Sequence, residues 1–145
     1  MKASVRFQRL DPRAVAPTYG TAAAAGADLY ALDALTLAPG ETALVHTGLA
    51  LEIPEGYVGL IFARSGLATK RGLAPANKVG VIDADYRGEI MVALYNQSTA
   101  PQMVESGERV AQLVFTPFLQ ADFSESESLS DTARGEGGFG STGNK

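Results

Sequence analysis

Apolar residues in this chain come in short runs, broken every ten residues or so by proline, glycine or aspartate. Val5 to Leu10 predicts a first strand, stopped at Asp11-Pro12. Ala22 to Ala25 is rich in alanine, but the Gly26-Ala27-Asp28 that follows leaves no room for a useful helix. Beyond the Ala38-Pro39-Gly40 turn, Glu41 to Ile53 reads as an extended segment, and Pro54-Glu55-Gly56 breaks it. Tyr57 to Ala63 starts the next strand. Val79 to Ile82 and Ile90 to Tyr95 are two further runs separated by a charged stretch, which predicts a hairpin with a long tip. Val110 to Phe118 is the last strand, opened by Ser106-Gly107 and stopped near Pro117. No stretch keeps a 3.6-residue period over three turns, and the best helical candidate is the short piece Leu67 to Lys70. Many short strands with regular turn signals predict an all-β sandwich or barrel.

The pattern changes after Ala121. Asp122 to Asp131 is acidic and rich in serine, and Arg134 to Gly143 is rich in glycine. The chain therefore divides into a β domain over 1–121, a linker over 122–133 and a glycine-rich tail over 134–145. Glycine loses much backbone entropy on ordering, so this tail is not expected to form a packed element. One reading is a disordered terminus without a role. The other is a flap, with Arg134 and Phe139 as its working side chains, that orders over an anionic ligand.

Composition narrows the function classes. A chain of 145 residues is one domain by default, and 46% hydrophobic with 19% charged residues is a globular balance. The absence of cysteine excludes thiolate metal sites and cysteine nucleophiles, and a single histidine, His46, excludes a zinc site built on two or three imidazoles. A net charge of −4 argues against non-specific nucleic-acid binding. No apolar run approaches the roughly 18 residues of a membrane helix, and no signal-peptide core precedes the first strand. The expectation is a soluble, cytoplasmic protein with neither nucleic acid nor membrane as partner.

Two motifs in the tail are rejected. Gly135, Gly137 and Gly140 satisfy G-x-G-x-x-G, but that fingerprint works between a strand and a helix, and here an acidic linker precedes it. The same stretch lacks the lysine of a phosphate-binding loop, having Ser141 in its place. Elsewhere the signals are open. Arg64-Ser65-Gly66, at the end of a strand, is either an ordinary turn or a set of donors for phosphate. A serine hydrolase would need His46 as base, yet His46 sits within an extended segment. Asp83, beside Val81 and Ile82, is a plausible general base or a turn-forming aspartate, and Asp28 poses the same choice. Glu108 to Gln112 reads as strand surface or as the polar rim of a pocket.

In order along the chain stand AGADLYA (Ala25 to Ala31), ARSGLA (Ala63 to Ala68), NKVGVIDADYRGEI (Asn77 to Ile90), GERVAQLVF (Gly107 to Phe115) and RGEGGFGSTG (Arg134 to Gly143). With these five segments the chain resembles the trimeric dUTP pyrophosphatases from about Pro17 to Gly143. The resemblance implies a jelly-roll-like β-sandwich or distorted barrel, assembled as a homotrimer with active sites shared between chains. It implies hydrolysis of dUTP to dUMP and pyrophosphate with Mg²⁺, by attack of a water on the α-phosphate. By position in the motifs, Asp83 matches the aspartate that activates the water, and Tyr86 the tyrosine under the deoxyribose that excludes a 2′-hydroxyl. Asn77 and the backbone of the Asn77–Ile90 segment match the uracil-binding edge, and Val81 and Met91 match further substrate-binding positions. Arg64, Ser65, Gly66 and Gln112 match the phosphate contacts, and Asp28 the aspartate near the metal's water shell. Arg134, Phe139 and Gly140 match the tail that closes over the nucleotide. Two other classes share the scaffold: a dCTP deaminase-like enzyme, and a non-catalytic relative used as a binding module. The intact Asp83–Tyr86 segment together with the arginine–glycine–aromatic tail favours dUTP hydrolysis over both.

Overall fold

The computed structural model describes residues 1–144 and contains, among them, eleven strands and one short helix. The strands are β1 (Arg6–Arg9), β2 (Thr18–Tyr19), β3 (Ala27–Tyr30), β4 (Leu35–Leu37), β5 (Thr42–Glu52), β6 (Tyr57–Phe62), β7 (Leu73–Pro75), β8 (Gly80–Ile82), β9 (Glu89–Asn96), β10 (Gln102–Val104) and β11 (Arg109–Pro117). The helix α1 (Ser65–Arg71) joins β6 to β7. One sheet has the order β1-β5-β9-β7, the other β2-β3-β11-β6-β8, and β10 pairs with β4 in a small ribbon. All pairings are antiparallel. This is the all-β sandwich that the pattern predicts.

The two sheets meet through alternating side chains. In β9, Ile90, Val92, Leu94 and Asn96 are buried while their neighbours are half-exposed, the period of two expected of a strand with one buried face. Leu29, Val45, Ile61, Leu73 and Leu113 join them in one core, and Leu67 is the single buried residue that docks α1 onto it. Fully burying each such leucine, isoleucine or valine is worth about 1.5–3 kcal/mol. Asn96 is the exception in this core and is fully satisfied. Its Nδ2 donates to Leu37 O (3.0 Å) and Ala100 O (2.9 Å), and its Oδ1 accepts from Ser98 N (2.9 Å).

β2, β3, β4, β7 and β10 have two to four residues each, too few to display alternation, and the sequence pattern does not announce them. The expected hairpin is a second difference. β8 pairs with β6 and β9 pairs with β5 and β7, so the Asp83–Gly88 connection crosses from one sheet to the other. Gly80 packs so closely on β6 in this pairing that a Cβ there would stand 3.2 Å from Ile61 Cβ. Beyond Pro117 no strand or helix follows among the described residues, and none of their helices is long and apolar enough to cross a membrane.

Candidate functional site

Three adjacent strands bring the first group of predicted residues together. Asp28 on β3 lies opposite Gln112 on β11, and Gln112 lies opposite Phe62 on β6, two residues before Arg64. The Asp28 side chain is only 13% exposed, a setting in which a carboxylate needs partners. It has two: Arg64 Nε donates to Oδ1 at 3.0 Å, and Arg109 Nη1 lies 3.5 Å from Oδ2. Two guanidinium groups against one carboxylate leave a local surplus of positive charge on an otherwise acidic protein. Ser65 and Gly66 follow as the exposed first residues of α1, whose N-cap, Arg64, makes no side-chain capping bond. First-turn N–H groups have no partner within a helix, so this corner presents donors beside the arginines.

Gln112 is held in this corner from two sides. Its Nε2 donates to Ala63 O (2.9 Å), and its Oε1 lies where a Cβ at Gly26 would be, 2.2 Å away. Only glycine at position 26 admits this side chain. Arg109 and Gly26 thus belong to the site. Position 109 was legible as polar rim or strand surface. Nothing in the linear pattern announced the contact between Gly26 and Gln112.

The second group lies elsewhere. Asn77 is exposed in the turn after β7, where Val79 N bonds back to Asn77 O (2.8 Å). Val81 is exposed on β8, and Asp83 is exposed immediately after it. Asp83 O accepts the Tyr86 N–H (3.2 Å), and Arg87 Nη1 ties the loop to itself through Ala84 O (2.6 Å) and Tyr86 O (3.1 Å). The Tyr86 hydroxyl donates to Glu89 O (2.8 Å), and Met91 follows on β9, paired with His46. β8 runs antiparallel to β6, with Ile82 opposite Gly59. Gly59 stands five residues before Arg64, about 17 Å of extended chain, and Asp83 lies one residue further in the opposite direction. Within one chain, the Asp28–Arg64–Gln112 group and Asp83 lie toward opposite ends of the same sheet.

The tail forms a third group. Arg134 Nε donates to Gly137 O (2.6 Å), and Phe139 is fully exposed with its neighbour Gly140. Among the described residues, every hydrogen bond of 119–144 stays within that segment. A cavity of about 800 Å³ opens near the edge strands β1 and β2, lined by Phe7, Tyr19, Leu51, Tyr57 and Phe115, and includes none of the residues above. His46 lies on β5 of the first sheet, while Ser65 follows β6 of the second. The serine-hydrolase pairing therefore has no support in the geometry.

For a metal, the described residues hold no group of three acidic or imidazole side chains. Both Asp28 oxygens face an arginine. This corner suits an anion, so a Mg²⁺ would be held chiefly by the bound polyphosphate and its own waters, with Asp28 able to reach only those waters through a lone pair left on each oxygen.

The family model dUTPase matches residues 13–143. The deoxyuridine 5′-triphosphate nucleotidohydrolase of Desulfitobacterium hafniense is 51% identical over 99% of this chain and 97% of its own. That of Hydrogenobaculum sp. is 48% identical over the whole of both. Among solved structures, a mutant dUTPase of Staphylococcus bacteriophage 80alpha with dUpNHpp superimposes with a TM-score of 0.91. The two are 30% identical over 97% of this chain and 99% of that one. A mutant dUTPase from phage phi11 of S. aureus, described with a coordinated structural Mg(II) ion, gives 0.82 at 26% identity, over 88% of this chain and 99% of its own. Sequence and fold converge over nearly the full length, and the chain belongs to the dUTPase family.

Proposed function

We propose that this chain hydrolyses dUTP to dUMP and pyrophosphate at a site completed by more than one copy of itself. The reaction follows from the family; the assignment of residues and copies is the proposal. The observation that carries it is the separation of Asp83 from Arg64 along β6 and β8. A general base must reach its water within hydrogen-bond distance, and a guanidinium must touch phosphate. Residues at opposite ends of one sheet do not meet both demands on one α-phosphate. A symmetric homotrimer that sets the Asp83 end of one copy against the Arg64 end of the next does. It also covers exposed strand edges that a lone sandwich leaves open.

In this reading Asp83 takes a proton from the attacking water, and Arg64, Ser65, Gly66 and Gln112 hold the phosphates. Asn77, Val81 and Met91 line the uracil, and Tyr86 supports the deoxyribose. Arg134, Phe139 and Gly140 close over the nucleotide. A Mg²⁺ carried by the triphosphate would supply neutralisation of phosphate charge, with Asp28 the residue near its waters. The division at 121 and 133 into sandwich, linker and lid belongs to the same proposal, as does a cytoplasmic location.

Mixing inactive variants tests the shared site. Asp83→Asn and Arg64→Ala chains, unfolded and refolded together, recover about a quarter of wild-type turnover if each site takes the two residues from different copies. The assembly runs at three times the 15.1 kDa chain mass. No recovery in a verified mixed assembly, or an active monomer, overturns the proposal. A second expectation concerns Gly26. Gly26→Ala drives the Gln112 amide aside and presses on its Cβ, 3.0 Å from the new methyl, so the variant's unfolding midpoint is measured beside its activity to show that the fold is kept. Misplacing a phosphate contact then lowers kcat/KM for dUTP about tenfold or more. Unchanged kcat/KM would remove Gln112 from the phosphate contacts.

A further inference from the structure

We infer that Glu89 is a positioning residue that sets how well the enzyme tells dUTP from UTP, by fixing the place of Tyr86. The inference rests on the reading of Tyr86 as the support of the deoxyribose. Glu89 is the first residue of β9, where the sheet register breaks. His46 pairs with Met91, but the next pair is Ala50 with Glu89, so Thr47, Gly48 and Leu49 together face Ile90 alone. Bulges of this kind gather beside active sites and re-aim the strand that leaves them. Gly48 has φ +71°, and a Cβ there would stand 3.0 Å from Ala14 Cβ and 3.2 Å from Leu32 Cδ1.

The Leu10 N–H satisfies the Gly48 carbonyl (2.7 Å), and two side chains bind other polar groups of the bulge. The buried Thr47 hydroxyl donates to Ile90 O (2.6 Å). The buried Gly48 N–H donates to Glu89 Oε1 (3.0 Å), and the other carboxylate oxygen lies 2.5 Å from His46 Nδ1. Glu89 therefore clamps the start of β9 to β5 with both oxygens. Its backbone carbonyl, on the same residue, receives the Tyr86 hydroxyl (2.8 Å). The Tyr86 ring is pressed over Gly88, where any Cβ would meet the hydroxyl oxygen at 2.4 Å. Tyr86 thus has two supports, and one is only as firm as the Glu89 clamp. Whether a 2′-hydroxyl fits against the ring depends on where the ring stands. Removing the clamp loosens the hydroxyl's acceptor and widens the space beneath the sugar.

The test compares kcat/KM for dUTP and UTP in full-length Glu89→Ala, Glu89→Asp, Glu89→Gln and Tyr86→Ala. Glu89→Ala removes both bonds. Glu89→Asp keeps the charge but is one methylene too short to hold Gly48 N–H and His46 together. Glu89→Gln reproduces the clamp, its oxygen accepting from Gly48 and its amide donating to His46 Nδ1. The expected result is a fall of about tenfold in the dUTP-to-UTP ratio for Ala and Asp, the size of one lost hydrogen bond, with Gln, which keeps both contacts without the charge, close to wild type. A purely structural role would lower both substrates together and leave the ratio unchanged. If Ala does not fold, the Asp and Gln pair decides. An unchanged ratio in Asp, or a loss in Gln equal to that in Asp, overturns the inference while Tyr86→Ala still lowers the ratio. If Tyr86→Ala itself leaves the ratio unchanged, the support reading beneath it fails instead.

Discussion

Asp83→Asn is expected to lower kcat for dUTP by about 10²–10⁴-fold while KM moves little, because general-base catalysis is typically worth that much. The substitution separates the two roles that an aspartate at this point can have. The turn is held by the Asp83 backbone carbonyl, which accepts the Tyr86 N–H, and by the Arg87 guanidinium on the loop's own carbonyls. None of these bonds uses the Asp83 side chain, so asparagine keeps the loop and removes only the base. Pyrophosphate release under single-turnover conditions gives kcat, and binding of a non-hydrolysable dUTP analogue gives affinity. Near-normal turnover would return Asp83 to the status of a turn former.

Ending the chain after Thr132 is expected to leave folding and assembly intact and to lower turnover on dUTP by about 10²-fold, the cost of a poorly positioned and poorly desiccated reacting group. The core explains the first half. Every residue of the buried cluster precedes Ala121, and residues 133–144 make no hydrogen bond to the sandwich. The unfolding midpoint and the mass of the truncated protein therefore match the full chain. The second half depends on the tail closing over nucleotide. Arg134, whose guanidinium among the described residues is bonded only to Gly137 O, gains phosphate, and the exposed Phe139 ring gains the uracil face. Ordering so many glycines costs backbone entropy, so closure needs both rewards. Phe139→Trp should retain activity and report closure by fluorescence, against no background because the chain has no tryptophan. Full-length turnover in the truncated assembly would show the tail to be dispensable.

Much of the fold was legible because it rests on one-dimensional rules. Pro54-Glu55-Gly56 and Ala38-Pro39-Gly40 break the chain where β5 ends and shortly before it begins, and β6, β9 and β11 fall within two residues of their apolar runs. The short strands β2, β3, β4, β7 and β10 were not legible, because two to four residues cannot show a period. The motif residues were legible as residues, through the resemblance, but not as neighbours. Which carboxylate meets which arginine depends on strand register, and register is set by pairing across the whole sheet.

The amino-acid sequence alone determined the class of fold, the family and the residue types that the chemistry needs, since turn formers, alternation and ordered motifs are local properties of the chain. Tertiary structure alone decided the rest. β8 pairs with β6 instead of β9, with Gly80 packed closely on Ile61, so an apparent hairpin is a crossing between sheets. Asp28 is enclosed by Arg64 and Arg109 because three strands place them side by side. Gly26 leaves the space that Gln112 fills, and Glu89 closes a bulge formed 40 residues earlier in the chain (about the span from Gly48). Each is a contact between residues distant in sequence, fixed by sterics and by the need to satisfy buried polar groups, and no local pattern encodes it.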